Sequence, residues 1–159
     1  MELCIKSNEV ISDIRSAAWL EQELHPELDR HRRHQMADIC EKDNVECVWR
    51  VLGVAMAELR LALGRMLRQE KEIREVNDLD SPEEWNFGFL LHLPSSTLDF
   101  LREKIHEYLV ASVMADRGAV IIPACAGIWR ERAETALAEL RALAATSGYK
   151  PARRPIWPL

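Results

Sequence analysis

The sequence has little that suits a membrane or an exported protein. No run approaches the roughly 20 consecutive apolar residues that cross a bilayer. The first ten residues, MELCIKSNEV, lack the long apolar segment of a secretory signal. These absences argue against a membrane protein and predict a protein that is kept in the cytoplasm.

The four cysteines lack the spacing of a metal site or a redox pair. They stand at Cys4, Cys40, Cys47 and Cys125, and no two of them form a CxxC pair. Zinc sites use more closely spaced ligands, so the spacing argues against one. The apolar neighbours of Cys40 and Cys47 predict buried free thiols, which are typical of a reducing compartment.

The composition is that of a soluble globular protein with one core. At 159 residues the chain is long enough for one domain and short for two. Its hydrophobic content of 48% and charged content of 30% are ordinary for a folded domain. A formal charge of −5 and a pI near 5.6 oppose broad binding to nucleic acid or anionic membranes. A net negative charge still allows a local basic patch.

The stretch from Asp43 to Gln69 predicts a long helix at the centre of the fold. Its apolar residues fall on several helical faces at first and on one face beyond Leu61. Asp43 and Glu46 have the spacing of a capping box at the helix start. Other elements are therefore expected to cover this helix on several sides.

Apolar periodicity predicts further helices and a strand. The helices cover residues 7–24, 25–43, 96–118 and 127–146, with Gly118 ending the third of these. Apolar residues occupy alternate positions from Trp85 to Leu93, as in a β-strand. Its candidate partner is Glu72 to Asn77, while residues 1–6 form either a short edge strand or a frayed start.

These elements predict a mainly α (α+β) fold, a helical bundle around the long central helix with one small β-hairpin at about residues 71–93. Residues 1–148 form a single helical domain, and residues 149–159 form a proline-rich C-terminal arm. Three prolines in its last nine residues prevent the arm from being helical. Its apolar residues predict that it docks on its own domain or on a neighbouring copy.

Two segments supply the predicted protein interface. The apolar side chains of the Trp85 strand usually belong to a core, and their functional interpretation is a hairpin that projects toward a partner. The arm adds large apolar and basic groups. The predicted interface residues are Trp85, Phe87, Phe89, Arg153, Arg154, Ile156, Trp157 and Leu159.

A metal site is the first chemical alternative. His31 and His34 are three residues apart on one predicted helical face, with Asp38 and His25 nearby. The more ordinary interpretation is a solvated face, because the interleaved arginines repel a cation. No metal or other cofactor is therefore expected, and these residues are held only as candidates.

Two other chemical hypotheses depend on single features. Cys125 precedes a predicted helix start, which can activate a thiol, but no histidine close in sequence supplies a base. Basic residues can contact phosphates, although no glycine-rich phosphate loop or defensible helix-turn-helix accompanies them. These basic residues are Arg30, Arg32, Arg33, Lys150, Arg153 and Arg154.

The second half of the chain has a recognisable order of elements, from the Trp85 strand through the helix at Ser96 and the alanine-rich last helix to Arg153-Arg154-Pro155. In this order it resembles small prophage head-to-tail connector or completion proteins. The likeness covers about half the chain and includes no diagnostic motif. The longer helices from Ser7 to Gln69 depart from that pattern. The resemblance implies a non-enzymatic ring subunit in the neck of a virion.

The sequence thus predicts a non-enzymatic structural or assembly protein, and the resemblance implies a connector-like role. It is expected to associate with itself or with other virion proteins, in a bacterial cytoplasm or in the virion, without membrane or nucleic-acid partners. The alternatives are a metal-dependent helical-bundle enzyme using His25, His31, His34 and Asp38, and a nucleic-acid-associated regulator using the arginines of the second helix.

Overall fold

The computed structural model describes residues 1–41, 43–68 and 82–147, and helices dominate these ranges. The helices are α1 (Ser7–Leu24), α2 (Arg30–Ala37), α3 (Val45–Leu63), α4 (Ser95–Val113), α5 (Ala119–Ile121) and α6 (Ala126–Thr146). A π-helical turn, Met114–Gly118, precedes α5, and a 3₁₀ turn, Pro123–Cys125, follows it. The strands are β1 (Glu2–Lys6) and β2 (Glu84–Gly88). The prediction of a mainly α fold with a small antiparallel sheet is confirmed.

The sheet joins strands that are far apart in the sequence. β1 and β2 are antiparallel, with Leu3 opposite Phe87 and Ile5 opposite Trp85. These four side chains are buried because alternate residues of a strand point to the same face. Residues 2–6 therefore form a strand, which was one of two open interpretations. The candidate partner at Glu72 to Asn77 lies outside the described residues.

β2 ends at Gly88, before the Leu93 expected from the apolar alternation. Phe89 still bridges to Leu67, and the Leu90 N–H donates to the Met66 carbonyl over 2.9 Å. Leu90 and Leu91 then stand about half exposed. The chain leaves the sheet here, so the alternating apolar residues predicted a longer strand than the one that forms.

α4 has neighbours on more sides than α3 does. It packs against α1, α3, α6 and β1. The four successive residues from Tyr108 to Ala111 are all buried, which requires contacts around the helix. α3 instead buries one stripe along its length and leaves Val54 and Leu61 exposed. Its apolar content predicted the helix correctly but overstated how completely other elements cover it.

The predicted capping box of α3 does not form. α3 starts after Asn44 without a side-chain cap. The Asn44 side-chain amide donates instead to the Asp38 carbonyl over 3.0 Å, which holds the turn between α2 and α3. A cap does form at α2, where the Asp29 carboxylate accepts from the Arg32 N–H over 2.8 Å. α2 consequently begins at Arg30, later than its predicted start.

Gly118 does not end the helix that begins at Ser95. The π-helical turn follows α4 directly, and Gly118 keeps helical dihedral angles of φ −61° and ψ −38° before α5. A Cβ at this position would lie 3.2 Å from the Met114 Cε and 3.5 Å from the Met36 Cε. The glycine therefore allows close packing against α2, and its prediction as a helix stop is wrong.

Candidate interaction surface

The predicted metal ligands do not converge. His31 and His34 lie exposed on α2, and Asp38 follows that helix. His25 lies in the preceding loop, where its Nδ1 is 2.8 Å from the Glu27 Oε1. All four candidates are described, and no three or more histidine, cysteine or acidic side chains among the described residues are arranged to hold a metal ion. The four predicted ligands therefore form no metal site among the described residues.

Cys125 is an inert thiol in its environment. It is 1% exposed at the start of α6, and its Sγ–H donates to the Ile122 carbonyl over 3.1 Å. Burial, followed by the nearby charge of Glu21, raises the pKa of Cys125 to about 11. A reactive cysteine needs a lowered pKa, so the structure opposes the hypothesis of a catalytic thiol.

The other three thiols are free as predicted, but their exposure differs. Cys40 is buried, and burial raises its pKa to about 11. Cys47 and Cys4 are only partly buried. The prediction of buried thiols is therefore right for Cys40 and incomplete for Cys47.

The basic residues of the nucleic-acid hypothesis fall in two parts of the chain. Arg30 and Arg32 are exposed on α2, and Arg33 is half-buried. Lys150, Arg153 and Arg154 lie outside the described residues. A regulator that contacts nucleic acid through α2 stays a prediction.

The strand side chains predicted to meet a partner belong to the core of this chain. Trp85, Phe87 and Phe89 are 9%, 1% and 1% exposed. The Trp85 ring packs near that of Trp49, with 6.0 Å between their centroids. This differs from the predicted projecting hairpin, because pairing with β1 turns the apolar face of β2 inward. The remaining predicted interface residues, Arg153, Arg154, Ile156, Trp157 and Leu159, lie outside the described residues.

A buried hydrogen bond joins the end of α1 to the start of α6. The Trp129 Nε1–H donates to the Glu21 Oε1 over 2.8 Å, and both residues are only 8% exposed. A carboxylate buried to this degree needs a partner, since an unpaired buried charge is costly. The bond therefore fixes the first turn of α6 beside the last turns of α1.

Two nitrogen-bearing side chains border this bond. The His25 Nε2 lies 3.6 Å from the Glu21 Oε2. The guanidinium carbon of Arg132 lies 4.8 Å from the centroid of the Trp129 ring, in a cation–π arrangement. The carboxylate and the indole that join α1 to α6 thus each have a second polar or charged neighbour.

Three exposed apolar side chains flank that junction. Leu20 and Leu24 lie on consecutive turns of α1 and are 54% and 70% exposed. Ile128 directly precedes Trp129 and is 58% exposed. We call Leu20, Leu24 and Ile128 the junction surface. Exposed apolar side chains that lie near one another are typical of protein contact sites.

The sequence misplaced part of this surface. The apolar periodicity that predicts the helix at residues 7–24 includes Leu20 and Leu24 in its apolar stripe, which predicts that they face inward, and it does not single out Glu21. The missed signal is helical spacing, because Glu21 lies four residues after Ala17 and three after Ala18, which are both buried. Glu21 turns inward because the Trp129 indole offers it a donor, and that partner is 108 residues away in sequence.

Comparison with known proteins identifies no relative. No protein-family model, curated protein or solved structure matches this chain. Within the described ranges, no helix combines the length and the apolarity needed to span a membrane. The functional inference therefore depends on the surfaces of this chain itself.

Proposed function

We propose that this chain is a non-enzymatic assembly protein that binds a second copy of itself through the junction surface. The observation that carries the proposal is the exposure of Leu20, Leu24 and Ile128 beside a buried hydrogen bond. Fully burying a large aliphatic side chain contributes about 1.5–3 kcal/mol. A partner that covers these three residues recovers part of that free energy.

A second copy is the favoured partner because the sequence supplies further apolar groups for the contact. The arm at residues 149–159 follows α6 and carries Ile156, Trp157 and Leu159. An element exchanged between copies is a common route to dimers. Tryptophan is also among the residues that contribute most to protein interfaces.

The resemblance to prophage connector and completion proteins suggests a setting for this assembly. It implies a ring subunit that acts in the virion, or in the cytoplasm of a bacterial host before the virion is complete. Subunits of a ring contact their neighbours through two different patches. We propose the junction surface and the arm as those patches, with other virion proteins as further partners.

Light scattering after size-exclusion chromatography tests the proposal. We expect the wild-type chain to have a mass above the 18.3 kDa of one copy. The double variant L20S/L24S and deletion of residues 149–159 should each shift the mass toward the monomer. Both leucines are exposed in one copy, so circular dichroism should show that L20S/L24S keeps its helices.

A matched control removes exposed apolar side chains elsewhere. Leu61 and Val120 are 84% and 73% exposed on α3 and α5. The variant L61S/V120S should keep the wild-type mass, because neither residue belongs to the junction surface. A monomeric wild-type chain at every concentration would sink the proposal, as would equal dissociation of the control.

A further inference from the structure

A groove of about 260 Å³ lies between α3 on one side and α4 with the π-helical turn on the other. Its two ends carry charged or polar groups, and its middle is largely apolar. The lining residues are Arg50, Val51, Val54, Ala55, Glu58, Tyr108, Ser112 and Asp116.

The two walls of the groove run in opposite directions. At one end the Tyr108 hydroxyl donates a hydrogen bond to the Glu58 carboxylate. On one wall Arg50 lies eight residues before Glu58, and on the other Asp116 lies eight residues after Tyr108. Eight helical residues correspond to a rise of about 12 Å. Because both residues line the same small groove, Arg50 and Asp116 mark its other end.

Arg50 and Asp116 bring opposite charges to that end without neutralising each other. Neither side chain forms an ion pair with another residue in the part of the chain that the structure describes. Both are exposed to solvent and therefore accessible to a ligand. A guanidinium can bind a carboxylate through two parallel hydrogen bonds, and a carboxylate accepts hydrogen bonds from an ammonium group.

We propose that this groove binds a free α-amino acid with an apolar side chain. The ligand carboxylate lies against Arg50, its ammonium group against Asp116 and its side chain over Val51 and Val54. An α-amino acid carries both charges on one carbon, which suits two opposite charges at one groove end that do not pair directly. A ligand with a single charge displaces water from both Arg50 and Asp116 but supplies a counter-charge to only one of them, which is unfavourable.

The far end of the groove sets the preferred side chain. Tyr108 is 4% exposed, and its hydroxyl is committed to Glu58. Burial, and then the hydrogen bond to Glu58, raises the pKa of Tyr108 to about 12, so the phenol stays a neutral donor near pH 7. The negative charge of Glu58 repels an acidic ligand side chain. A leucine-like side chain is therefore preferred over that of glutamate.

An NMR titration of the full-length, ¹⁵N-labelled chain with L-leucine tests this inference. We expect saturable shifts of the Val54 and Ser112 amide signals. 3-Methylbutylamine is leucine without the carboxylate and 4-methylpentanoate is leucine without the ammonium group, so each should bind about tenfold more weakly than leucine. L-Glutamate should also bind more weakly than leucine.

Charge-neutralising variants separate this site from non-specific binding. R50Q and D116N should each weaken leucine binding about tenfold, since each removes one charge-assisted contact. R130Q neutralises another exposed arginine, on α6 and outside the groove lining, and should bind leucine as the wild-type chain does. Thermal melting followed by circular dichroism checks that all three variants fold.

Three outcomes would overturn the inference. One is the absence of saturable shifts with leucine, and another is unchanged leucine binding in both R50Q and D116N. The third is equal affinity for 3-methylbutylamine, which would indicate a simple cation site. The titration is independent of the assembly role, because no groove residue belongs to the junction surface.

Discussion

Two hydrogen bonds in this protein each join a glutamate on one helix to an aromatic side chain on another. They differ in which of the two partners is buried. At the α1–α6 junction both Glu21 and Trp129 are buried. At the α3–α4 groove Tyr108 is buried, but Glu58 is exposed. Water can solvate the Glu58 carboxylate and is largely excluded from that of Glu21. The two bonds should therefore contribute unequally to the free energy of unfolding.

The same difference separates the two proposed roles. At the junction the buried Glu21 carboxylate already has a hydrogen-bond partner within the chain, so the groups left for a partner protein are the exposed apolar side chains. The groove keeps exposed charges at Arg50 and Asp116, so what it offers is a place for a charged small ligand. The junction, where the carboxylate is buried, is therefore suited to a protein contact. The groove, where charged groups are exposed, is suited to ligand binding.

The largest effect is expected from Trp129→Phe. Phenylalanine keeps an aromatic ring but removes the N–H donor, which leaves Glu21 buried with His25 at 3.6 Å as its nearest remaining partner. Loss of a hydrogen bond to a buried charged group costs about 2–3 kcal/mol. Urea-induced unfolding measures this loss.

The double variant E21Q/W129F checks the cause. Glutamine removes the buried charge, so the double variant should be more stable than W129F alone. If the two variants unfold at the same urea concentration, the charge of Glu21 does not explain the loss and the comparison between the two bonds fails.

High pH should selectively weaken the groove bond. The pKa of Tyr108 rises from 10.0 to about 12 on folding, chiefly because burial disfavours the phenolate. The folded state therefore holds this proton more tightly, and its contribution to stability is present below pH 10 and lost as the pH rises through about 12. Across this pH window the free energy of unfolding should fall by more for the wild-type chain than for Y108F. Parallel curves for the two proteins would contradict the assignment.

The smallest effect is expected from Tyr108→Phe near pH 7. The ring still fills its site, and the exposed Glu58 carboxylate regains hydrogen bonds from water. The cost should be about 1 kcal/mol or less, the net contribution of an ordinary hydrogen bond. Urea unfolding of Y108F and W129F under one condition compares the two bonds directly. A larger loss for Y108F would reverse the proposed order.

Local patterns predicted the elements more reliably than their surroundings. The helix from Ser7 to Leu24 and the last helix to Thr146 fall where the apolar periodicity placed them. The Asp43–Glu46 capping box did not form, because α3 begins one residue later than the box requires, with Asn44 and not Asp43 in the cap position. Spacing along a chain identifies possible hydrogen bonds, but competing partners decide which of them form.

The candidate surfaces were harder to predict because they depend on distant residues. The pairing of Glu21 with Trp129 and that of Glu58 with Tyr108 join residues separated by 108 and 50 positions. Neither pair has a sequence motif. The metal and thiol hypotheses started from residue types alone, and the structure places those side chains at exposed or apolar positions where they do not act together.

The sequence by itself determined the mainly α architecture, the alternating segment at Trp85 and most helix positions, because these follow from periodicity over a few turns. Tertiary structure alone decided that β1 pairs with β2, that α4 is the most enclosed of the long helices and that Glu21 is buried while Leu20 is exposed. The reason is that burial of a side chain depends on which neighbours reach it, and those neighbours come from distant parts of the chain.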